Sequence, residues 1–234
     1  MSELQVPGVA GRRVIVTGAA GALGLAVARC LVAAGARVGA AYRGAAPDLP
    51  GGIAAAAFDL DDEAAVASGF ARLTAGLGGP AQLLVHCAGG YADAPLPATS
   101  LELWRRMLEG NLTAAFLCIR AVLPAMCAAG HGRIVTVGSR AGLHGGEDVA
   151  AYSASKGGLL RLTEAAAAEG LPFGVTANCV LPGTINTPSN RAALPGADVG
   201  RWVSPEAIAD VCLFLCSDTA APISGAAIPV FGRS

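Results

Sequence analysis

Residues 13–24 read RVIVTGAAGALG, an apolar run followed by a stretch rich in glycine. The run 13–17 is short, apolar and rich in β-branched residues, which predicts a strand buried on both faces. Small and apolar residues continue to Ala34, and Gly35 then marks the expected end of a helix. A strand, a tight glycine turn and a helix form the first unit of an α/β fold.

The same alternation of short strands and helices continues along the chain. Further strands are predicted at 37–42, 55–59, 82–87, 133–139, 175–180 and 226–230. Further helices are predicted at 61–77, from Thr99 or Ser100 to Met126, from Tyr152 to Glu169, and at 205–217. Because no linker interrupts the pattern, we expect a single domain, residues 1–234, of class α/β. It should be a doubly wound parallel sheet, a Rossmann fold, with helices on both faces and ligands at the carboxyl ends of the strands.

Composition and charge narrow the classes of function. The net charge of -1 gives no electrostatic reason to expect nucleic acid or an anionic membrane as a partner. The three histidines lie far apart, and Cys212 and Cys216 lack the spacing of a redox or zinc motif, so we expect no metal site. No signal-peptide pattern and no membrane-spanning run is predicted. We therefore expect reduced thiols and a cytoplasmic location.

The glycine turn predicts a dinucleotide site. Gly18, Gly21 and Gly24 lie between a strand and a helix, where the backbone can approach a pyrophosphate closely. Such turns also occur for steric reasons alone, but the position after the first strand favours the cofactor. Arg43 follows the second strand, where no carboxylate is present, and can bind a 2′-phosphate or face solvent. Asp59 can accept a hydrogen bond from the adenine amino group, or cap the next helix.

Residues 152–156, YSASK, place a phenol and an ammonium on one face of a helix, one turn apart. The positive charge favours phenolate, so we expect the pKa of Tyr152 to fall towards neutral, where proton transfer works best. A Tyr and a Lys at this spacing can also occur by chance on a solvated helix face.

Seven motifs in the order of the chain together resemble the short-chain dehydrogenase/reductase family. They are Thr17-Gly18…Gly24, Asp59, Ala88-Gly89, Asn111, Ser139, Tyr152-x-x-x-Lys156 and Pro182-Gly183. The resemblance covers essentially the whole chain. It implies that Tyr152 is the general acid/base and that Lys156 lowers its pKa and holds the nicotinamide ribose. It also implies that Ser139 hydrogen-bonds the substrate oxygen and that Asn111 holds a water feeding a proton relay. The plain alternatives are a polar residue in a helix for Asn111 and a turn hydroxyl for Ser139.

The resemblance and the predicted strand ends also assign the binding residues. Cofactor contacts are expected from Gly18, Gly21, Ala22, Leu23, Gly24, Tyr42, Arg43, Asp59, Leu60, Ala88, Gly89, Lys156, Pro182, Gly183, Thr184 and Thr187. The substrate pocket is expected to include Gly90, His144, Asn190 and Trp202. Arg43 favours NADP(H), with NAD(H) possible.

Three departures from the usual family pattern bear on the substrate. Ala22 takes the place of the middle glycine, and residues 86–87 are His-Cys where the family usually has Asn-Asn. Residues 184–203 lack periodicity and are expected to form a lid over the substrate, or an ordinary surface loop. The part from Thr187 to Trp202, with the stretches 21–24 and 88–90, is similar to the quinonoid dihydropteridine reductases. That branch usually lacks the Ser and Asn found here.

These residues predict an enzyme that reduces a ketone or 3-oxoacyl-type carbonyl of a small molecule to an alcohol. The alternatives are a quinonoid dihydropteridine reductase-like enzyme and a non-catalytic dinucleotide-binding regulator, for which a proton donor has no use. A homo-oligomer, a tetramer or a dimer, is expected, because helices 101–126 and 152–169 carry many alanines and few charges. In relatives these two helices form the main subunit contact.

Overall fold

The computed structural model describes residues 6–50 and 52–233, so residues 1–5, 51 and 234 of the predicted domain lie outside the described part. Seven strands form one sheet within it, with the order β3-β2-β1-β4-β5-β6-β7. They are β1 (Arg13–Thr17), β2 (Arg37–Tyr42), β3 (Ala54–Ala57), β4 (Leu83–His86), β5 (Gly132–Val137), β6 (Val175–Pro182) and β7 (Ala227–Val230). Every neighbouring pair is parallel, so the predicted doubly wound sheet is confirmed.

Helices cover both faces of this sheet. The helices are α1 (Ala22–Ala33), α2 (Glu63–Leu77), α3 (Leu101–Leu108), α4 (Ala114–Ala128), α5 (Ala150–Gly170), α6 (Pro188–Ala193) and α7 (Pro205–Cys216). Of these, α1 and α7 pack in the core on one face and α2, α4 and α5 in the core on the other. A π-helical turn, Glu109–Thr113, joins α3 to α4. Several predicted boundaries differ by a few residues: β3 ends at Ala57 and not at residue 59, β5 ends at Val137 and not at residue 139, and β6 continues to Pro182. The predicted cap of the long helix is Ser100, whose hydroxyl accepts a hydrogen bond from the Leu103 N–H at 3.0 Å.

Alternate side chains of each central strand enter two separate cores, because successive residues of a strand point to opposite faces. Val14 and Val16 of β1 pack in a core with residues of α1 and α7, and Ile15 packs in the other core with α2, α4 and α5. Burying a side chain of this size contributes roughly 1.5–3 kcal/mol. Both faces of the strand are therefore held, which fixes where its carboxyl end lies.

One helical stretch resembles a membrane span in length and composition. Leu101–Ala128, which includes the π-helical turn, has 28 residues, and its most apolar 18 residues have a mean hydropathy of 1.6. The match rests on length and composition only, so the expectation that no run spans a bilayer stays a prediction. Core helices have the same composition. Leu117, Val122 and Met126 of α4 are buried in the core beside α2 and α5.

The segment 184–203 contains more regular structure than its sequence predicts. It includes helix α6, which Thr187 caps by accepting the Asn190 N–H at 3.2 Å. Its two ends are joined by a bridge between Ile185 and Val203 and by the hydrogen bond from the Asn186 N–H to the Val203 carbonyl at 2.8 Å. The segment therefore leaves the end of β6 and returns to the same place, as a lid with fixed ends would.

Candidate active site

The glycine turn after β1 brings three elements into close contact. Gly18 has φ of 69°, and a Cβ atom there would come within 2.8 Å of the Ala88 backbone beyond β4. A Cβ atom on Gly24 would come within 2.2 Å of the Gly18 carbonyl oxygen. Helix α1 begins after Gly21 without a side-chain cap, so its first N–H groups are available to an anion. Ala22, the departure from the glycine pattern, is the first residue of α1, and its side chain is exposed.

Two residues predicted to contact the adenosine end bind each other. Arg43 Nη1 lies 3.2 Å from Asp59 Oδ1, and the two side chains are 79% and 52% exposed. An ion pair this exposed contributes about 0–1 kcal/mol, so Arg43 can exchange Asp59 for a phosphate at small cost. The alternative that Asp59 caps the next helix is wrong, because Asp62 caps α2 by accepting the Ala65 N–H at 2.9 Å. Tyr42, which precedes Arg43, and Leu60, which follows Asp59, are both half-buried.

The remaining predicted cofactor contacts lie around the end of β6 and on the lid. The Gly183 N–H donates to the Val230 carbonyl at 3.2 Å, which continues the β6–β7 pairing past Pro182. The Thr184 carbonyl accepts the Val203 N–H at 3.0 Å, and the Thr187 hydroxyl is engaged as the cap of α6. These contacts position the backbone at the strand end.

Ser139 and Tyr152 meet between β5 and α5. Ser139 follows β5 and Tyr152 lies in the first turn of α5, and the Ser139 hydroxyl is close enough to the Tyr152 phenol to influence its pKa. Ser139 also accepts the Ala141 N–H at 3.2 Å, so it is a turn hydroxyl as well. Two hydroxyl groups therefore lie near each other, where both can donate to a single substrate oxygen.

The pKa of Tyr152 is raised by burial, and the hydrogen bond from Ser139 only partly offsets the rise. The expected fall of this pKa towards neutral is therefore wrong for the protein in this structure. The Lys156 ammonium donates instead to the Val137 carbonyl at 2.9 Å, and it lies 6.0 Å from the centre of the Tyr152 ring. A raised pKa keeps the phenol protonated at neutral pH, the state that a proton donor needs.

Lys156 is the only lysine in the sequence, and it is buried, with 5% of its surface exposed. Burial lowers its pKa to about 8. Lys156 also faces the loop after β4, because a Cβ atom on Gly89 would lie 3.2 Å from its Nζ atom and 2.6 Å from Asn111 Oδ1. Residue 89 must therefore be a glycine for the loop after β4 to pack this closely against the π-helical turn and α5.

Asn111 connects those three segments through its side-chain amide. Its Oδ1 accepts the Gly90 N–H at 2.8 Å, and its Nδ2 donates to the Gly90 carbonyl and to Ser155 Oγ, both at 3.0 Å. Ser155 Oγ in turn donates to the Tyr152 carbonyl at 2.7 Å. The alternative reading of Asn111, as a polar helix residue whose side chain hydrogen-bonds to backbone, therefore matches what the structure shows. Its part in a proton relay stays a prediction.

His86 and Cys87, the second departure, lie at the end of β4. His86 is fully buried and its Nδ1 lies 2.9 Å from Thr17 Oγ1 of the neighbouring strand β1. Burial, and then the charge of Lys156, lowers the pKa of His86 to about 3, so the imidazole is neutral. The histidine therefore ties β4 to β1 without adding a second charge beside Lys156.

The predicted substrate residues differ in what they contact. Gly90 is held by Asn111, and Asn190 uses its amide to donate to the Ile185 carbonyl at 2.8 Å within the lid. His144 is exposed on the loop between β5 and α5, and Trp202 is half-buried at the end of the lid. All four follow strand ends on the same edge of the sheet. Their contact with substrate stays a prediction.

Tyr91 is a site residue that the sequence analysis missed. Its ring meets the Tyr152 ring edge to face, with the centroids 5.0 Å apart and the planes at 73°. Its side chain is nevertheless 63% exposed. The signal in the sequence was an aromatic residue directly after Gly89 and Gly90, in the loop that follows β4.

Comparisons with known proteins agree over nearly the whole chain. Residues 12–197 match the family model described as short chain dehydrogenase. The acetoacetyl-CoA reductase of Rhizobium meliloti is 36% identical over 94% of this chain and 97% of its own. The 3-oxoacyl-[acyl-carrier-protein] reductase MabA of Mycobacterium tuberculosis is 36% identical over 97% of this chain and 94% of its own. The crystal structure of a putative gluconate dehydrogenase from Agrobacterium tumefaciens superposes with a TM-score of 0.86, at 30% identity over 96% of each chain.

Because the Lys156 ammonium is buried, we expect the folded protein to be more stable when an uncharged side chain replaces it. With its pKa lowered from 10.5 to about 8, Lys156 destabilises the folded state at pH 7 by roughly 3 kcal/mol. We expect Lys156→Met to abolish activity but to raise the free energy of unfolding measured in urea at pH 7. Part of the gain is lost because the Val137 carbonyl loses its donor.

The sign of the pH dependence tests the cause. Between pH 8 and 10.5 the unfolded parent chain binds more protons at Lys156 than the folded chain, so parent stability rises with pH. The advantage of Lys156→Met should therefore shrink over that range. Arg161→Met, which removes an exposed cation from the same helix, is the control and should change stability little. A Lys156→Met protein less stable than the parent at pH 7 would contradict the prediction.

Proposed function

The chain belongs to the short-chain dehydrogenase/reductase family, and from that premise we propose that it reduces a ketone or 3-oxoacyl-type carbonyl to an alcohol. The observation that carries the proposal is the meeting of Ser139, after β5, with Tyr152 of α5, whose hydroxyl groups are close enough for the serine to influence the pKa of the tyrosine. The family and its oxidoreductase relatives make the chain an NAD(P)-dependent enzyme. The non-catalytic regulator is therefore not retained.

The residues at the strand ends fit a nicotinamide dinucleotide. The uncapped first turn of α1 suits the pyrophosphate, and Asp59 with Arg43 suits the adenosine end. Lys156 has donors left beyond the one that binds the Val137 carbonyl, and these suit the nicotinamide ribose. When bound, the nicotinamide supplies the hydride that goes to the carbonyl carbon.

The protein supplies the proton and the stabilising dipoles. Tyr152 donates its hydroxyl proton to the substrate oxygen as negative charge develops there, and Ser139 donates a hydrogen bond to the same oxygen. Lys156 then stabilises the tyrosinate, and a water held at Asn111 returns a proton through Lys156. The side-chain amide of Asn111 keeps the Gly90 backbone and α5 in fixed positions while this happens.

The substrate class is supported by the names of relatives and by the donor pair. Two of the relatives are named as reductases of acetoacetyl-CoA and of a 3-oxoacyl carrier-protein thioester. A ketone oxygen becomes an alkoxide, for which a second donor beside Tyr152 matters greatly. A quinonoid dihydropterin is the second candidate, favoured by the lid from Thr187 to Trp202. It accepts hydride into a conjugated ring, where the charge is delocalised and Ser139 matters less.

Replacing the proton donor tests the role of Tyr152. We expect Tyr152→Phe to lower kcat by roughly 10²–10⁴-fold, because the ring still packs while the acidic hydroxyl is gone. Cofactor affinity, measured by fluorescence titration, and the melting temperature should stay close to those of the parent. Activity within a few-fold of the parent would contradict the assignment.

Arg43 predicts a preference for NADPH over NADH in kcat/KM. A charge-assisted hydrogen bond to a phosphate is worth about 1.5–3 kcal/mol, so Arg43→Ala should lower kcat/KM for NADPH roughly 10- to 100-fold. The value for NADH should change little. Arg29→Ala, which removes another exposed, ion-paired arginine, is the control. A parent enzyme that prefers NADH would show that Arg43 serves only its ion pair with Asp59.

Ser139→Ala separates the two substrate candidates. Loss of one such donor costs about 3–4 kcal/mol, so we expect kcat/KM for an acetoacetyl thioester to fall roughly 10²–10³-fold. Reduction of a quinonoid dihydropterin, if the enzyme performs it, should be nearly indifferent. Fast pterin reduction that Ser139→Ala leaves unchanged, with no turnover of any ketone, would favour the second candidate instead.

A further inference from the structure

Tyr91 is a large aromatic residue that is exposed and yet touches the catalytic tyrosine. Its ring packs edge to face on Tyr152 at a centroid distance of 5.0 Å, while 63% of the residue remains exposed. Part of the ring is thus committed to Tyr152, the Tyr91 phenol is near enough to raise the pKa of the Tyr152 phenol, and the rest of the ring is exposed. A group bound to a carbonyl that Tyr152 protonates would lie within reach of this free surface.

The backbone that carries Tyr91 is held on both sides. Gly90, directly before it, exchanges two hydrogen bonds with the Asn111 amide, at 2.8 and 3.0 Å. Beyond it, the Ala94 N–H donates to the Asp148 carbonyl at 2.7 Å, which ties the loop after β4 to the residues just before α5. The ring is therefore presented by a fixed backbone and needs little ordering when a ligand packs against it.

The order of the strands assigns one side of the substrate to Tyr91. The strands β4, β5 and β6 are neighbours in that order, and each is followed by one wall of the site. Tyr91 follows β4, Ser139 follows β5, and the lid follows β6. The two groups on a carbonyl carbon diverge from its oxygen. With the oxygen held by Ser139 and Tyr152, one group is directed towards Tyr91 and the other towards the lid.

We propose that Tyr91 is a specificity-determining residue that favours carbonyl substrates with a flat aromatic or conjugated group next to the carbonyl. The proposal rests on the proposed carbonyl reduction, since that reaction places the substrate oxygen at Ser139 and Tyr152. A flat group gains offset-stacked or edge-to-face contact with the ring, beyond what its apolar area alone would give. Burial, with Asp93 and Asp148, raises the pKa of the Tyr91 phenol, so the ring stays uncharged at neutral pH.

A pair of ketones of similar size isolates the aromatic contribution. Phenyl methyl ketone and cyclohexyl methyl ketone have the same number of carbons, but only the first presents a flat ring. We expect the parent enzyme to favour the phenyl ketone in kcat/KM by roughly 2- to 10-fold, the range for one aromatic pair. The ratio should persist in Tyr91→Phe, which keeps a ring, and fall towards one in Tyr91→Leu.

Leu96→Ala is the matched control, because Leu96 is 69% exposed on the same loop and has no place in the proposed site. It should leave the ratio at the parent value. Melting temperatures of all variants should be similar, since both positions are exposed. A parent ratio near one, or a ratio that Tyr91→Leu leaves unchanged, would overturn the proposal.

A binding measurement separates this proposal from the proposed reaction. Titration calorimetry of the enzyme with its reduced cofactor, with which an alcohol cannot react, gives affinities for 1-phenylethanol and for 1-cyclohexylethanol. A preference for the phenyl alcohol that Tyr91→Leu abolishes would support the Tyr91 assignment even if no ketone is turned over, in which case the proposed reaction is wrong. Equal affinities in the parent would overturn the Tyr91 assignment even if ketones are reduced.

Discussion

The buried ammonium of Lys156 is the constraint on which the carboxyl edge of the sheet depends. A charge that is 95% removed from solvent needs close partners, and the Val137 carbonyl at the end of β5 supplies one at 2.9 Å. The neighbouring groups are arranged so that the charge is tolerated: Gly89 leaves room for it, and His86 stays neutral beside it. The ammonium lowers the stability of the fold, and its retention is the kind of local cost that proteins accept at functional sites.

Rigidity around this charge comes from hydrogen bonds made by buried side chains. Asn111 joins the loop after β4 to α5, and Ser155 continues the chain of bonds to the Tyr152 backbone. The π-helical turn that carries Asn111 is a local break in the long helix, a feature often found at functional sites. Because the side chains of Asn111 and Ser155 are paired, the Tyr152 backbone is held in position before any substrate arrives.

The two ends of the site differ in how firmly they are fixed. At the end where the carbonyl is proposed to react, Lys156 and Asn111 are buried and hydrogen-bonded to backbone. At the adenosine end, Arg43 and Asp59 form an exposed ion pair that can be exchanged for ligand contacts at little cost. This difference follows from the sheet: β4 and β5 are central strands, whereas β3 is an edge strand and β2 lies next to it.

The sequence by itself determined the elements of the fold and the identity of the residues that meet at the strand ends. Apolar runs, glycine turns and the spacing of Tyr152 and Lys156 are local patterns, so the order of strands and helices and the i, i+4 pair could be predicted from them. Only the tertiary structure decided what depends on burial and on contacts between distant segments. It raised the pKa of Tyr152, paired Arg43 with Asp59, turned the Asn111 amide towards Gly90, and brought Tyr91 against Tyr152. Desolvation and long-range contacts exist only once the chain has folded, and no local pattern carries them.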